Sequence, residues 1–466
     1  MLQERYETDK YFEGIVMQLM IEMDPVLAEI DKLLEDEDLY QLIRTDLAKR
    51  YPLTEITGRK STPVEVIIRI LAVKRLYGLS YAKLEKQVGD SLVLRLFCRV
   101  YFNEVPDETT IMRWANQIEA ETLEKFNRRL TELATQLKVT KGRQLRTDGT
   151  VVESHIHPPS DSSLLVDGVR VIGRTLRRAK EVLKETRFLN QAVFRNRVRS
   201  AKRLAREIGE TLRKRTDAAR EKVVKPYRKL VQVATATVEQ AQKVIEELKA
   251  QTTAQADKLA HTFETFIPRL EQVIHQTTQR IFENEQVPAT EKIVSMFETH
   301  TDIICRNKPR KPVEYGHKIW LDEVDGGIVS RWEVLEGNPN DKLQWTPSLE
   351  NHVEQFGKPP NQASADRGVY STPNVQKAKD LGVKRVVLPK SGYKSEKRKQ
   401  FENQAWFKKA RKWHNGVEGR ISVLKRCYQL DRCLDHGEDG FNKWVGWGVI
   451  ANNLMSIGRA VAAKSR

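Results

Sequence analysis

Residues 146–161, RTDGTVVESHIHPPSD, decide how the rest of the chain is to be read. The stretch has a β-branched run at its centre and ends in Pro158-Pro159, which cannot continue a ladder. It reads as a strand carrying Asp148 and Glu153, with His155 and His157 just beyond. A metal site, a general base and a plain polar edge strand are all open at this point. Glu153 lies five residues from Asp148, an odd offset, so it points to the other face and suits a surface or pairing role. His155 and His157 share a face, but no cysteine or further histidine stands close by in sequence, which argues against zinc. Asp161, before Ser162-Ser163-Leu164-Leu165, reads as a helix cap.

On the N-terminal side the pattern is helical. Residues 1–57 form an amphipathic lead-in and 58–142 a helical domain. TPVEVIIRILAVKRLYGLSYAKLEKQVG (62–89) reads as a helix from Pro63, a break at Gly78 and a second helix capped by Ser80. Helix, short turn and helix can dock in a major groove, or can be an ordinary hairpin of helices. Thr109 or Thr110 is expected to cap one long helix running up to the strand.

On the C-terminal side, 161–312 is nearly all helix former. Tyr227, Val231, Ala234, Val238, Ala241, Ile245 and Leu248 alternate steps of four and three, a heptad seam. A helical hairpin or coiled coil is the expectation. Its charge is lopsided: 171–230 holds 20 Lys/Arg against 6 Asp/Glu, and 231–300 holds 6 against 10. Arg195, Arg197, Arg199, Arg203 and Arg206 suit phosphate contacts better than base reading. The competing reading is a solvated face paired with the acidic second arm.

From 313 the period switches to two. EYGHKIWLDEV and GGIVSRWEVLEG flank Asp325-Gly326-Gly327, a hairpin signal. A helix over 341–357, a short strand ending at Asp366, a helix capped by Ser371 or Thr372, a buried strand in VKRVVLPK and helices to the end follow. Strand, strand, strand, helix, strand, helix, strand, helix describes a mixed α/β sheet with helices on its faces. The sheet is expected over 143–160 with 313–466, interrupted by the helical insertion, and would be the catalytic domain if the fold is ribonuclease-H-like.

The whole chain of 466 residues carries a net charge of +17, which points to an acidic partner, most often nucleic acid. Cys98, Cys305, Cys427 and Cys433 form no C-x-x-C pair, so a reducing cytoplasm is the simplest setting. The N-terminus shows no secretory pattern and no apolar run is long enough to span a membrane. Three acids then stand out: Asp148 on a central strand, Asp366 at a strand end beside it if the fold is ribonuclease-H-like, and Glu418 on a late helix. Clustered carboxylates repel unless a cation neutralises them, and Mg²⁺ takes few carboxylates while leaving room for phosphate oxygens. Taken singly, each acid has a plain reading as a turn residue, a strand-end ion pair or a surface helix acid.

RTDGTVVESHIHPPSDSSLLVDGVRVIGR, SADRGVYS and NGVEGRISVLKRCYQLDRCL with GVIANNLMSIGR resemble the three signature blocks of bacterial insertion-sequence DDE transposases, nearest the ISNCY type. GRKSTPVEVIIRILAVKRLYGLSYAKLEKQVGDSLVLRLF and PDETTIMRW resemble their N-terminal helical domain. The resemblance covers most of 58–160 and 313–460 and is weak in the insertion. It implies that Asp148, Asp366 and Glu418 ligate Mg²⁺, with Mn²⁺ as substitute. It makes Lys425, seven residues after Glu418, a phosphate contact, with Arg367 and Arg420 as further DNA contacts. His317 and Asn415 become supporting groups beside the site. The relatives' Arg and Tyr ahead of the Glu are here His414 and Arg411, so the left half of that motif is missing. The insertion also departs from better-known members, falling after the first strand rather than before the last catalytic helix.

The implied activity is cutting at terminal inverted repeats and joining of the freed 3′-hydroxyl to target DNA, by a homodimer or higher multimer on bacterial nucleoid DNA. A nuclease of the same fold without strand transfer, a non-catalytic DNA-binding protein and a structural coiled coil are the alternatives.

Overall fold

Of residues 146–161, those up to Ser154 form a strand and Asp161 begins a helix. A computed structural model describes residues 1–19, 22–51, 53–183, 191–305 and 311–465. Its strands are β1 (Gln144–Ser154), β2 (Asp302–Cys305), β3 (Val313–Val324), β4 (Ile328–Leu335), β5 (Gln362–Ala365), β6 (Arg385–Val387) and β7 (Arg432–Cys433). The chain divides into two units, Met1–His155 with Gly316–Arg466, and Ile156–Tyr315.

In the first unit β1 is central. It pairs antiparallel with β3 and parallel with β5, β3 pairs antiparallel with β4, and β5 pairs parallel with β6. The order is therefore β4-β3-β1-β5-β6, with β7 joining the far end of β1 at Glu153↔Arg432. The β3–β4 turn falls at Asp325-Gly326-Gly327 as expected, and both glycines adopt the positive φ that a tight hairpin needs. The Asp325 carboxylate accepts the backbone N–H groups of Lys141, Arg143 and Gln144, which fixes the entry to β1. Glu153 pairs with Arg432 at 2.9 Å.

The N-terminal helices share one apolar core with this sheet, so the boundary expected at 142/143 falls inside a unit. Two helices form its spine. Val64–Leu76 and Gly437–Ala462 bury residues on nearly every side, as helices without a polar face must. Ser80 caps the helix after Gly78, and Ser371 caps Thr372–Asp380, both as expected.

One cap differs. Asp107, not Thr109 or Thr110, accepts the N–H groups of both threonines and starts Glu108–Gln117; a separate helix, Ala120–Gln136, then leads to β1. An aspartate just ahead of two threonines takes the cap because its carboxylate reaches both N–H groups while still ionised.

The outer edge of β4 is covered by side-chain amides. Asn453 accepts the Val329 N–H at 2.9 Å and donates to the Val329 carbonyl at 2.8 Å. Asn127 donates to the carbonyls of Val329 and Ser330 and accepts from Asn453. Two buried asparagines thus imitate the neighbouring strand that β4 lacks.

The second unit is a bundle rather than a hairpin. Asp161–Val182, Val198–Leu212, Asp217–Lys249 and Ala254–Ile281 bury a common apolar core. The seam is buried at Tyr227, Ala234, Val238, Ala241, Ile245 and Leu248, and packs within this unit. Ser160, not Asp161, is the cap of the first helix; Asp161 is its first residue and pairs with Arg280 at 2.7 Å. His157 bonds Asp167 at 2.8 Å. Among the described residues no helix is long and apolar enough to cross a membrane.

Candidate active site

Asp148 and Asp366 meet because of register. Thr147 of β1 pairs with Ala365 of β5; Asp148 is the next residue of β1, and Asp366 is the residue just past the end of β5. Neighbouring parallel strands lie about 4.8 Å apart, so this register brings the two aspartates close enough for the Asp366 charge to act on Asp148. β5 ends there while β1 runs on to Ser154, which opens a gap along that edge of β1 until β7 begins.

The two acids have different environments. Burial, and next the Asp366 carboxylate, push Asp148 up to about 6. The Asp341 carboxylate adds to this, while the Gly149 N–H, at 2.7 Å from Asp148 Oδ1, and His414 work against it. Asp366 is held below the usual carboxylate range, chiefly by the hydrogen bond from His414, whose Nε2 lies 3.2 Å from Oδ1. Arg367 and Arg411 add to that lowering. One aspartate is thus kept ionised and the other kept close to its protonation point.

The helix bearing Glu418, Gly416–Cys427, is pinned to β1 on both sides of Asp148. Arg146, two residues before Asp148 and on the same face, donates to the Trp413 carbonyl at 2.5 Å, just ahead of the helix. Lys425, two helical turns after Glu418, donates to the Val151 carbonyl at 2.7 Å. Lys425 therefore reaches the strand backbone. Arg146 is held by a two-pronged bond to Glu323, its cross-strand partner, and Glu323 also receives Arg420 at 3.2 Å. Arg420 further donates to Asn452, so it is tied into the ion network under the sheet.

Glu418 itself is exposed on the first turn of its helix and is not among the main influences on Asp148. Among the described residues no three His, Cys, Asp or Glu side chains are gathered at metal-binding distance. The assembled part of the site is the Asp148–Asp366 pair. Arg367 is exposed beside it, and Asn415 sits at the bend between Ala405–His414 and Gly416–Cys427. His317 lies elsewhere: it pairs with Val152 where Asp148 pairs with Leu321, and its ring packs edge-on against Phe441.

Two contributors were not assigned to the site from the sequence, where His414 figured only as a departure from the relatives' motif. His414 is buried against Asp366, and a histidine four residues before a helical Glu was the available signal. Asp341 acts on Asp148 and pairs with the Lys318 ammonium, a juxtaposition of distant segments that no spacing rule reveals.

In the second unit, Val198–Leu212 buries Ala201, Leu204 and Ile208 and turns Arg199, Arg203 and Arg206 outward. Among the described residues none of Arg195, Arg199, Arg203 and Arg206 makes an ion pair, so the acidic arm does not neutralise them. Arg197 is half-buried, and burial lowers its pKa.

No curated protein and no solved structure matches the chain. Residues 16–117 match the family described as Transposase domain (DUF772), which supports a transposase and, in general terms, a DNA-cutting enzyme.

Proposed function

We propose that the chain is an insertion-sequence transposase that binds terminal inverted repeats and cuts and rejoins DNA at Asp148, Asp366 and Glu418. The observation that carries this is the juxtaposition of Asp148 on β1 with Asp366 just past the end of the adjacent parallel β5, in a chain whose N-terminal segment is similar to a transposase domain. A central β1 with β5 beside it also supports a ribonuclease-H-like core.

The carboxylates fit a divalent cation. Asp148 is raised partly because Asp366 repels its charge, and a cation held between them removes that cost. When bound, Mg²⁺, or Mn²⁺ in its place, stabilises charge on the attacking and leaving oxygens at phosphorus. Asp148 and Asp366 would hold it, and Glu418 is the third ligand of this reading. His414 holds the Asp366 carboxylate in place and ionised. Arg146 and Lys425 fix the helix that carries Glu418.

His414→Ala is expected to lower Mg²⁺ affinity and cleavage about 10–100-fold, the usual cost of losing a group that orients a ligand. Isothermal titration with Mg²⁺ checks it; unchanged affinity would remove His414 from the site. Neutralising Arg199, Arg203 and Arg206 together is expected to weaken DNA binding and flatten its dependence on salt, by about 0.9 in slope for each phosphate no longer neutralised. An unchanged slope makes that face a bystander.

The deciding experiment incubates the protein with Mg²⁺ or Mn²⁺ and DNA from the borders of its gene, with Asp366→Ala alongside. Border cleavage with joined products, lost in the variant, supports the transposase, acting on two ends as a dimer or higher multimer. Cleavage without joining supports a nuclease. Border binding with no metal-dependent product refutes the catalytic assignment.

A further inference from the structure

We propose that the first unit contains a phosphate-binding cavity at Lys74, separate from the carboxylate pair. The cavity, about 210 Å³, lies between the last turn of Val64–Leu76 and the first turns of Gly437–Ala462.

Lys74 is 6% exposed, yet among the described residues its ammonium makes no hydrogen bond or ion pair. It lies over the rings of Tyr81, at 4.5 Å, and Trp444, at 5.2 Å. Aromatic faces attract a cation but supply no acceptor for its three donors. Arg75 beside it is also buried. It stacks on Trp444 at 4.1 Å and donates to the Trp444 carbonyl, while its Nε has no partner. Burial, and then Arg75, push Lys74 down to about 8.

The acids around the cavity do not settle this charge. Asp439 is taken by Lys443 at 2.6 Å, and Asp435 acts on Lys74 and Arg75 without bonding either. Arg75, Lys74 and Lys443 against Asp435 and Asp439 leave one positive charge in a cavity lined by all five. The cavity also meets the start of a 26-residue helix, Gly437–Ala462. The positive end of that helix favours an anion, and the buried ammonium supplies the charge-assisted partner. A buried cation without an anion is costly, and a phosphate group relieves it. The phosphate comes from a DNA backbone or from a free phosphorylated molecule. The proposal does not depend on the transposase reading.

The test titrates full-length protein with inorganic phosphate at constant ionic strength, followed by tryptophan fluorescence, with chloride as control. A parallel arm titrates duplex DNA. Saturable phosphate binding, weakened about 10-fold or more by Lys74→Met, is expected, since one charge-assisted bond is lost. Lys74→Arg is expected to bind within a few-fold of wild type. Ala115→Leu, which fills the cavity with every charge in place, should also lose binding, and this guards against a misfolded Lys74→Met. If the source is DNA, the same variants weaken duplex binding and phosphate competes with it. If the source is a free molecule, duplex binding is unmoved. The proposal is overturned if neither phosphate nor DNA binding depends on Lys74 or on the cavity.

Discussion

Asp148→Asn is expected to make the protein inactive and more stable at once. The substitution removes a proposed cation ligand, so cleavage should fall by more than the roughly 100-fold that losing an orienting group costs. Stability should move the other way. Asp148 is pushed up to about 6, chiefly by burial and then by Asp366, against about 4 in an unfolded chain. Above pH 6 the folded protein carries the ionised form at a cost, about 1–3 kcal/mol for a shift of that size. Below about pH 4 both folded and unfolded chains are protonated and the cost is gone. The gain from asparagine should therefore be complete above pH 6 and should shrink as pH falls from 6 to 4. The Gly149 N–H keeps its acceptor, because asparagine retains Oδ1. Urea melts of both proteins in EDTA, at pH 7.5 and pH 4, read this directly. Adding Mg²⁺ at pH 7.5 should then stabilise the wild type and leave the variant unmoved. A variant no more stable than wild type at pH 7.5 refutes the strained carboxylate pair.

The second large effect belongs to the edge of β4. Asn453→Leu removes the acceptor of the Val329 N–H and the donor to Asn127 Oδ1, both buried. Each stranded group costs about 1–3 kcal/mol, so a loss of about 3–5 kcal/mol is expected. Leucine has the branching and number of side-chain heavy atoms of asparagine and leaves no cavity, so the loss reports hydrogen bonding rather than a void. A change under about 1 kcal/mol in a urea melt, the net worth of a single ordinary bond, would show that the amides do not hold this edge.

Much of the fold was legible because local rules were obeyed. Pro63, Gly78 and Ser80 mark helix ends by backbone chemistry alone, and Asp325-Gly326-Gly327 marks a hairpin for the same reason. Asp148 was legible as an acid on a strand and Asp366 as one at a strand end. Their juxtaposition was not, since it depends on the Thr147↔Ala365 register between segments far apart in sequence. The sequence read as a helical hairpin or coiled coil where four helices share one core, because a heptad seam records that a helix has partners and not how many. The pair Arg146–Glu323 and the turn of His414 onto Asp366 are matters of tertiary placement. Charge alone could not separate the outward Arg199 and Arg203 from the buried Lys74 and Arg75; the apolar residues around each pair do.

The insertion between β1 and β3 bears on how the chain finds its fold. It leaves after β1 and returns onto β3 at Gly316, which pairs with Glu153; a Cβ on Gly316 would overlap the Val152 carbonyl. The Ile156–Tyr315 segment thus takes the place of a hairpin turn. If it were still unstructured when the strands met, closing a loop on the order of 160 residues rather than four would add about five doublings of length, on the order of 3 kcal/mol of chain entropy. A bundle already collapsed around its own core brings its two ends together and removes most of that barrier. The central sheet, and the aspartate pair that depends on its register, therefore forms fastest when the insertion folds ahead of it.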